Sequence, residues 1–155
     1  MIRQTTPADI DDTARVFSVS REAAMPFLPV LHTPEEDRAF FRTRVFPTCE
    51  IWVADENGIT GFIAFREGWI EHLYIHPAHH RRGLGRTLLA QAKSRFAELQ
   101  LWAFRKNYNA IAFYEANGFR LVRQTDGAEN AEREPDALYS WSRQSPLPHR
   151  GRGLG

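Results

Sequence analysis

A basic loop with two glycines is the stretch whose residue types and spacing point most directly to chemistry. Pro77 ends a buried apolar run, and Gly83 and Gly85 stand at the start of a helical apolar pattern. Glycine lets the backbone approach a ligand closely, and the first N–H groups of a helix have no acceptor within the helix. Because the helix dipole and three arginines add positive charge, the loop favours a polyanion, most directly a phosphate. The residues that we expect to contact it are His80, Arg81, Arg82, Gly83, Leu84, Gly85, Arg86 and Thr87.

The loop matches neither of two widely used phosphate-binding motifs. It does not end in the Gly-Lys-Ser/Thr of a P-loop, and it lacks the third glycine and the distal acid of the dinucleotide fingerprint. On spacing alone, an ordinary loop with solvated arginines is the alternative. His80 also has two interpretations, because a protonated imidazole can donate to phosphate whereas a surface histidine is simply solvated.

Length and composition indicate one soluble globular domain. The chain has 155 residues, of which 43% are hydrophobic and 25% charged, so it is long enough to bury a core. A net charge of +1 gives no reason to expect nucleic acid binding. The single cysteine, Cys49, excludes an internal disulfide framework and fits a reducing compartment. With no signal peptide, no apolar run near ~20 residues and no zinc-ligand spacing, we expect a cytoplasmic protein without membrane contact or metal.

Seven strands and four helices must position the loop. Asn57-Gly58 and Glu67-Gly68 are turn signals, so the strands around them should form an antiparallel meander. A strand, a helix and a further strand then predict a parallel crossover. The strands are expected at residues 2–5, 50–54, 59–66, 69–75, 101–104, 119–124 and 138–143, and the helices at residues 6–24, 33–45, 84–99 and 107–116. One domain should span residues 1–143, and residues 144–155 should be a disordered basic tail.

Three segments in this order resemble the GCN5-related N-acetyltransferase (GNAT) family. The first is the strand end and loop, Leu73-Tyr74-Ile75-His76-Pro77 followed by Arg81-Arg82-Gly83-Leu84-Gly85. The second is a late helix and the start of a strand, with Asn107, Ala110, Phe113, Tyr114, Gly118 and Phe119. The third is Ile2-Arg3 with Asp9 soon after. The resemblance covers residues 1–143, and it departs from the family at His80, where the family usually has Gln or Arg.

The resemblance implies an α/β fold with a mixed sheet: an antiparallel meander, a parallel β-α-β crossover and a splayed central cleft. It implies acetyl-CoA as the co-substrate, with the pantetheine arm paired to the backbone of Leu73 and Ile75 as in strand addition. Other residues expected to contact the donor are Tyr74, Asn107, Ala110, Phe113 and Tyr114. Asn107 has an alternative role as a helix cap, and both roles can hold together. A longer acyl-CoA donor is left open.

The implied reaction is acetyl transfer to a primary amine by direct attack in a ternary complex. An ammonium group with a pKa near ~10 must first lose a proton, so a base has to lie within reach. Tyr114 occupies the family's usual position for the acid that protonates the departing sulfur. Glu71 is the first candidate base, because alternation places it with Leu73 and Ile75 and because apolar neighbours would desolvate it and raise its pKa. His72, on the opposite face, is the second candidate, and a bulge near Leu73 should present an N–H group to the oxyanion.

The acceptor amine is the least specified part of the prediction. An apolar loop should form one wall of its site, with Phe27, Leu28 and His32 beside Glu71. An acidic loop at residues 125–136 should form the other wall and favour a cationic acceptor, either a small molecule or a peptide amine. The alternatives are a core-packed apolar loop, a solvated acidic turn, and an ion pair between Glu71 and an arginine. A protein that binds acetyl-CoA without turnover is the alternative function, and a homodimer is left open.

Overall fold

A seven-stranded mixed sheet is the centre of the fold. The computed structural model describes residues 1–80 and 82–144. The elements are β1 (Ile2–Gln4), α1 (Ile10–Ala24), α2 (Pro34–Phe40), α3 (Phe46–Thr48), β2 (Glu50–Asp55), β3 (Ile59–Arg66), β4 (Trp69–Ile75), α4 (Leu84–Arg95), β5 (Glu98–Phe104), α5 (Tyr108–Ala116), β6 (Arg120–Gln124) and β7 (Asp136–Ser142). Their strand order is β1-β2-β3-β4-β5-β7-β6, and the predicted mixed α/β fold is confirmed.

Two tight turns connect the meander of β2, β3 and β4. Asn57 and Gly58 have φ angles of 62° and 134°, and Glu67 and Gly68 have φ angles of 52° and 83°. Glu67 and Gly68 form a two-residue loop between paired Arg66 and Trp69, whereas residues 56–58 form a three-residue loop between paired Asp55 and Ile59. Asparagine and glycine adopt such left-handed conformations readily, so they are turn signals in the sequence. β3 pairs antiparallel with both β2 and β4, as predicted.

Helices cover both faces of the sheet and divide the core into two clusters. On the α1 face, Phe17, Phe41 and Phe62 are buried together. On the α4 face, Leu88 packs with Tyr114 of α5. Because successive side chains of a strand point to opposite faces, β3 and β4 contribute to both clusters.

The parallel neighbours β4 and β5 diverge. Their register contains one pair, Trp69 with Gln100, whereas β5 pairs with β7 along its whole length from Glu98 to Phe104. Beyond the Trp69 pair, β4 and β5 no longer share a ladder. The splayed cleft expected from the resemblance is therefore present.

The helix α4 is shorter than the sequence predicts. The predicted helix at residues 84–99 ends at Arg95, because Phe96 has extended backbone angles (φ −132°, ψ 142°). Leu99 lies three residues after Phe96, a helical spacing, but it is buried in β5. Apolar spacing alone does not separate a helix end from a strand start when both face the same core.

The helix α2 begins at the predicted capping box, and helical backbone continues after it through α3. Thr33 Oγ1 accepts from the Glu36 N–H at 3.1 Å, and the Glu36 carboxylate accepts from the Thr33 N–H at 2.8 Å. The predicted end was Val45, but a π-helical segment at Phe41–Val45 leads directly into α3. This segment buries Phe41 and Val45 against the sheet.

An ion-paired arginine ties β1 to the start of α1. Arg3 donates to both carboxylate oxygens of Asp9 at 2.8 and 2.9 Å, and to Asp55 at 3.0 Å. The hydrogen bonds from Arg3 are the main reason that the pKa of Asp9 is lowered to about 2, and the Thr6 N–H adds a further bond at 2.8 Å. The Ile2-Arg3 segment and Asp9, which carried the third part of the resemblance, therefore hold the N-terminus in place.

No helix within residues 1–80 and 82–144 is long and apolar enough to cross a membrane. The predicted tail at residues 145–155 lies outside the described residues, so the tail and the domain boundary at residue 143 stay predictions.

Candidate active site

The glycine loop ends in a left-handed turn at the N-terminus of α4. Gly83 has a φ angle of 77° and caps the helix, with open space where a Cβ would lie. The first intrahelical bond runs from the Thr87 N–H to the Gly83 carbonyl at 3.1 Å. The N–H groups of Leu84, Gly85 and Arg86 precede this bond and can serve an anion. The sequence also predicts Thr87 as a donor, but its N–H and its hydroxyl (3.0 Å) both donate to Gly83 and support the turn instead.

Gly85 has a different role from Gly83. A Cβ at Gly85 would lie 3.2 Å from two ring atoms of Phe113 on α5. Glycine at this position therefore lets α4 and α5 approach closely. Phe113, which the sequence predicts to contact acetyl-CoA, packs against Gly85 from α5.

Arg82 is engaged by the protein itself. It pairs with Glu56 on the β2–β3 turn at 2.9 Å, and its Nη1 lies 2.8 Å from His79 Nδ1. Arg86 is exposed on the first turn of α4, and Arg81 lies outside the described residues. In this loop the backbone is thus a more accessible set of phosphate donors than the Arg82 side chain.

The edge of β4 that faces β5 is open along the cleft. The His76 N–H donates to the Thr60 carbonyl at 2.7 Å, so alternate residues of β4, counted back from His76, bond to β3. Leu73 and Ile75 fall between them, and their backbone groups face the diverging side. His80 Nε2 lies 2.9 Å from the Ile75 carbonyl oxygen, so this side chain ties the loop to the strand end instead of being simply solvated.

A bulge at Glu71 changes the predicted faces of β4. The pairing with β3 slips between Ile70 and His72, which leaves Glu71 as the extra residue. Ile70, rather than Glu71, therefore shares the α4 face with Leu73 and Ile75. The prediction that Glu71 alternates with these two residues is wrong, whereas the expected bulge is present in β4, two residues before Leu73.

Glu71 lies at an exposed edge of the site. Its side chain is 38% exposed, and Oε2 lies 3.3 Å from Nε of Arg66. The predicted desolvation of Glu71 is therefore wrong, and the alternative ion pair with an arginine is present. Glu71 nevertheless lines the cavity described below, so water can connect it to a bound amine.

His72 lies among aromatic rings. Its ring centroid is 5.3 Å from Phe17, 5.7 Å from Phe41 and 6.0 Å from Phe40. Burial first, and then the charge of Arg21, lower the pKa of His72 to about 4. The imidazole is therefore neutral at pH 7 but accepts a proton only weakly, which makes it a poor base for an ammonium group.

Two tyrosines line the cavity from different elements, the buried Tyr114 and the half-buried Tyr74. Burial raises the pKa of Tyr114 on α5 well above its ordinary value, and burial raises the pKa of Tyr74 on β4 to about 12. Both hydroxyls remain protonated at neutral pH and can donate. Tyr74 packs on the α1 face, 5.4 Å from Phe17, so its side chain lies on the α1 side of the cavity.

A cavity of about 780 Å³ joins the cleft to the apolar loop. Tyr114, Asn107 and Ala110 line it from the α5 side, and Leu28 and His32 line it from the loop, as predicted. Asn107 also caps α5, because its Oδ1 accepts from the Ala110 N–H at 3.4 Å. The helix-cap role of Asn107 is thus present, and its place in the cavity leaves room for the second role.

Phe27 does not line this cavity. Its ring lies under Lys106, with Nζ 5.7 Å from the ring centroid. The prediction that Phe27 forms a wall of this cavity is wrong, because Phe27 packs against Lys106 while Leu28 lines the cavity.

The acidic loop contributes one carboxylate to the cavity, Glu132. Asp126 accepts from the Ala128 N–H at 2.9 Å, Glu134 pairs with Lys106 at 3.5 Å, and Asp136 accepts from Asn130 at 3.2 Å. These groups hold the loop together. The predicted acidic wall is therefore reduced to a single residue.

Arg21 is a site residue that the sequence interpretation missed. Its Nη2 donates to Glu132 Oε2 at 2.6 Å, which joins α1 to the acidic loop inside the cavity. The signal was present, since Arg21 continues the inward helical spacing of Ile10, Ala14 and Phe17. An arginine on the buried stripe of a helix needs an acidic partner, although the pattern does not say which one.

Comparisons with known proteins agree with this arrangement. Residues 47–121 match the model of the acetyltransferase (GNAT) domain. Over 144 residues the chain is 28% identical to the peptidyl-lysine N-acetyltransferase YiaC of Escherichia coli (strain K12), a match that covers 91% of this chain and 96% of that protein.

Two solved structures share the fold. The apo form of YjaB from Escherichia coli has a TM-score of 0.75 at 22% identity, covering 91% of this chain and 96% of that chain. The PaiA N-acetyltransferase from Thermoplasma acidophilum, in complex with coenzyme A, has a TM-score of 0.68 at 19% identity, covering 92% of this chain and 98% of that chain. At these identities the likeness concerns the fold alone.

The domain match, the relative aligned over nearly its full length and the shared fold lead to one assignment. These findings support the GNAT family of acetyltransferases, whose domain model residues 47–121 match. The family and the enzyme class predicted from the sequence, an N-acetyltransferase, are confirmed.

Proposed function

We propose that this protein transfers the acetyl group of acetyl-CoA to a primary amine by direct attack in a ternary complex. One observation carries the proposal: the open backbone edge of β4 borders a cavity that contains the buried hydroxyl of Tyr114. A structural neighbour in complex with coenzyme A and a relative that acts on peptidyl lysine support the choice of donor and acceptor.

The donor would be held mainly by backbone groups. Its pyrophosphate would accept from the N–H groups of Leu84, Gly85 and Arg86 at the positive end of α4. Its pantetheine arm would pair with the open edge of β4, as an added strand does. His80 lies against the Ile75 carbonyl, so this group is already occupied. The arm would therefore bond to the Leu73 carbonyl and to the Ile75 N–H.

The chemistry follows from the positions of three groups. The amine nitrogen attacks the thioester carbonyl, and the oxyanion of the tetrahedral intermediate accepts from the Leu73 N–H. The C–S bond then breaks, and the Tyr114 hydroxyl supplies a proton to the sulfur so that CoA leaves as a thiol. The attacking nitrogen loses its second proton as the amide forms, and this proton restores the Tyr114 hydroxyl through water. Burial raises the pKa of that hydroxyl, so it is protonated at neutral pH and carries a proton that can be donated as negative charge develops on the sulfur.

Proton removal from the amine is assigned to Glu71 acting through water. Glu71 lines the cavity and is partly exposed, so it can take the proton and pass it to solvent. His72 lies among aromatic rings in the same cavity, but a pKa of about 4 gives it little tendency to take a proton from the amine.

Thermal melting with acetyl-CoA, CoA, ATP and NAD in parallel tests the donor. A ligand at about 100 times its dissociation constant adds roughly 2.7 kcal/mol to the folded state, which raises the melting temperature visibly. We expect a shift with acetyl-CoA and CoA only, followed by acetyl transfer to members of an amine panel. A shift without transfer to any amine would favour the alternative, a binding protein without turnover, and no shift at all would contradict the proposed donor site.

A further inference from the structure

Glu132 differs from the other carboxylates that line the cavity. Glu22 is exposed to solvent near the end of α1. Glu36 is bound into the α2 capping box, Asp37 accepts from the Ser18 hydroxyl at 2.6 Å, and Glu71 pairs with Arg66 at the edge. The side chain of Glu132 is only 18% exposed, and its charge acts on the buried hydroxyl of Tyr74. Glu132 is therefore a half-buried carboxylate of the cavity whose charge acts on one of the two tyrosines.

The contact between Glu132 and Arg21 is made by one oxygen. Arg21 Nη2 donates to Oε2, and among the described residues no donor is found for Oε1. A carboxylate can accept several hydrogen bonds, so an ammonium group can bind at Oε1 without removing Arg21. A poorly solvated carboxylate with one partner favours a second positive charge.

The surface beside this pair is aromatic. Phe17 makes edge contacts with Tyr74 at 5.4 Å and with His72 at 5.3 Å, and Phe40 is 41% exposed next to them. Such a surface packs well against the methylene stem of an alkyl amine and supports its cationic end.

We propose that Glu132 recognises the positive charge of the acceptor, and that the acceptor is a cationic alkyl amine whose stem lies against Phe17 and Phe40. This inference rests on the proposed amine acetyltransferase function. Glu132 binds the ammonium form before deprotonation, so its contribution belongs to the KM of the amine rather than to kcat.

The competing explanation is that Arg21 and Glu132 act only as a clasp between α1 and the acidic loop. The two residues are 111 positions apart, so their pair does connect distant segments. If the pair serves only to connect the two segments, replacing either residue should raise KM for the amine. If Glu132 binds the amine, KM should rise only when Glu132 is replaced.

The test uses the purified protein with N-α-acetyl-lysine amide as the acceptor. In Glu132→Gln we expect KM for this amine to rise about tenfold, with kcat and the melting shift by acetyl-CoA nearly unchanged. Glu129→Gln is the matched control, because Glu129 is exposed on the same loop and does not line the cavity. In Arg21→Met, KM should fall, because Glu132 then has the ammonium group as its positive partner, and an equal rise in both variants would establish the structural role and overturn the proposal.

A pair of amines matched in size but not in charge provides a second measurement if Arg21→Met does not fold. Ethylamine is a cation at neutral pH, whereas 2,2,2-trifluoroethylamine is neutral. Glu132→Gln should raise KM for ethylamine and leave KM for the fluorinated amine unchanged, and an equal change for both would reject charge recognition. A wild-type protein that acetylates no amine would contradict the proposed function itself, whereas an active wild type with an unaffected Glu132→Gln variant would contradict this inference alone.

Discussion

The two sides of the cavity are built from different kinds of groups. The proposed donor side consists of backbone atoms, the N–H groups at the start of α4 and the open edge of β4, within one short stretch of chain. The acceptor side consists of side chains from separate elements, such as Arg21 of α1, His72 of β4 and Glu132 of a late loop. Backbone recognition depends on turn geometry, whereas side-chain recognition changes with single substitutions. The acceptor can therefore vary within such a scaffold while the donor stays the same.

The largest effect on kcat is expected at Tyr114, where the two sides of the cavity meet. Tyr114→Phe removes the proton donor to sulfur, so kcat should fall about 100-fold while the acetyl-CoA melting shift stays the same. Tyr108→Phe on the same helix, 74% exposed, is the control and should be neutral. An unchanged kcat in Tyr114→Phe would remove Tyr114 as the acid.

A smaller effect is expected at the edge of the acceptor side. Glu71→Gln should lower kcat about tenfold, which is measured across a pH–rate profile. Glu67→Gln is the matched control, because Glu67 also lies near Arg66, at 3.6 Å, but is 80% exposed in a turn.

The same profile distinguishes His72 from Glu71. The pKa of His72 is about 4, so a rate that depends on neutral His72 should be constant above about pH 5 and fall only as the pH drops through 4. If that acid limb vanishes in His72→Ala while Glu71→Gln keeps the wild-type profile, the base is His72.

A substitution in the left-handed turn at Gly83 should weaken the binding of acetyl-CoA. Gly83→Asp places a strained left-handed residue and a negative charge at the start of α4, so acetyl-CoA affinity should fall about tenfold. Gly58→Asp is the control, since Gly58 also has a positive φ and open space around it, but lies in the hairpin turn. Substituting Gly85 is less informative, because any side chain there meets Phe113. Equal affinities of the two variants would contradict the phosphate assignment.

The smallest effect on activity is expected far from both sides. Asp9→Asn should leave kcat and both KM values unchanged but lower the free energy of unfolding by about 1–2 kcal/mol at pH 7. The pKa of Asp9 is lowered to about 2 in the folded protein, so its stabilisation is complete above the unfolded value near ~4 and is lost as the pH falls through 2. Urea unfolding of both proteins at pH 7 and pH 2.5 measures this difference, which should shrink at the lower pH. A difference that stays constant would exclude the Arg3 bond as its cause.

The sequence could predict the features that depend on neighbouring residues. The turn at Asn57, the capping box at Thr33 and the glycine at the start of α4 all require particular residues within a few positions, and the structure contains each of them. The family resemblance added the cleft and the position of Tyr114.

The features that failed depend on contacts between distant segments. The bulge at Glu71 arises from pairing with β3, so strict alternation placed this carboxylate on the wrong face. The partner of Arg21 lies at Glu132, far along the chain, and no local spacing connects them. Phe27 and Leu28 are adjacent and similar in hydrophobicity, yet only tertiary packing decides which one lines the cavity.

The alternating bonds of β4 should be visible in isotope labelling. Amides that donate to β3 are protected from deuterium, whereas those of Leu73 and Ile75 on the open edge should exchange rapidly in the free protein. An arm laid along that edge would slow the exchange of those two amides and leave their neighbours unchanged. The strand would then act as a ruler, because each slowed amide marks how far the bound molecule extends along it.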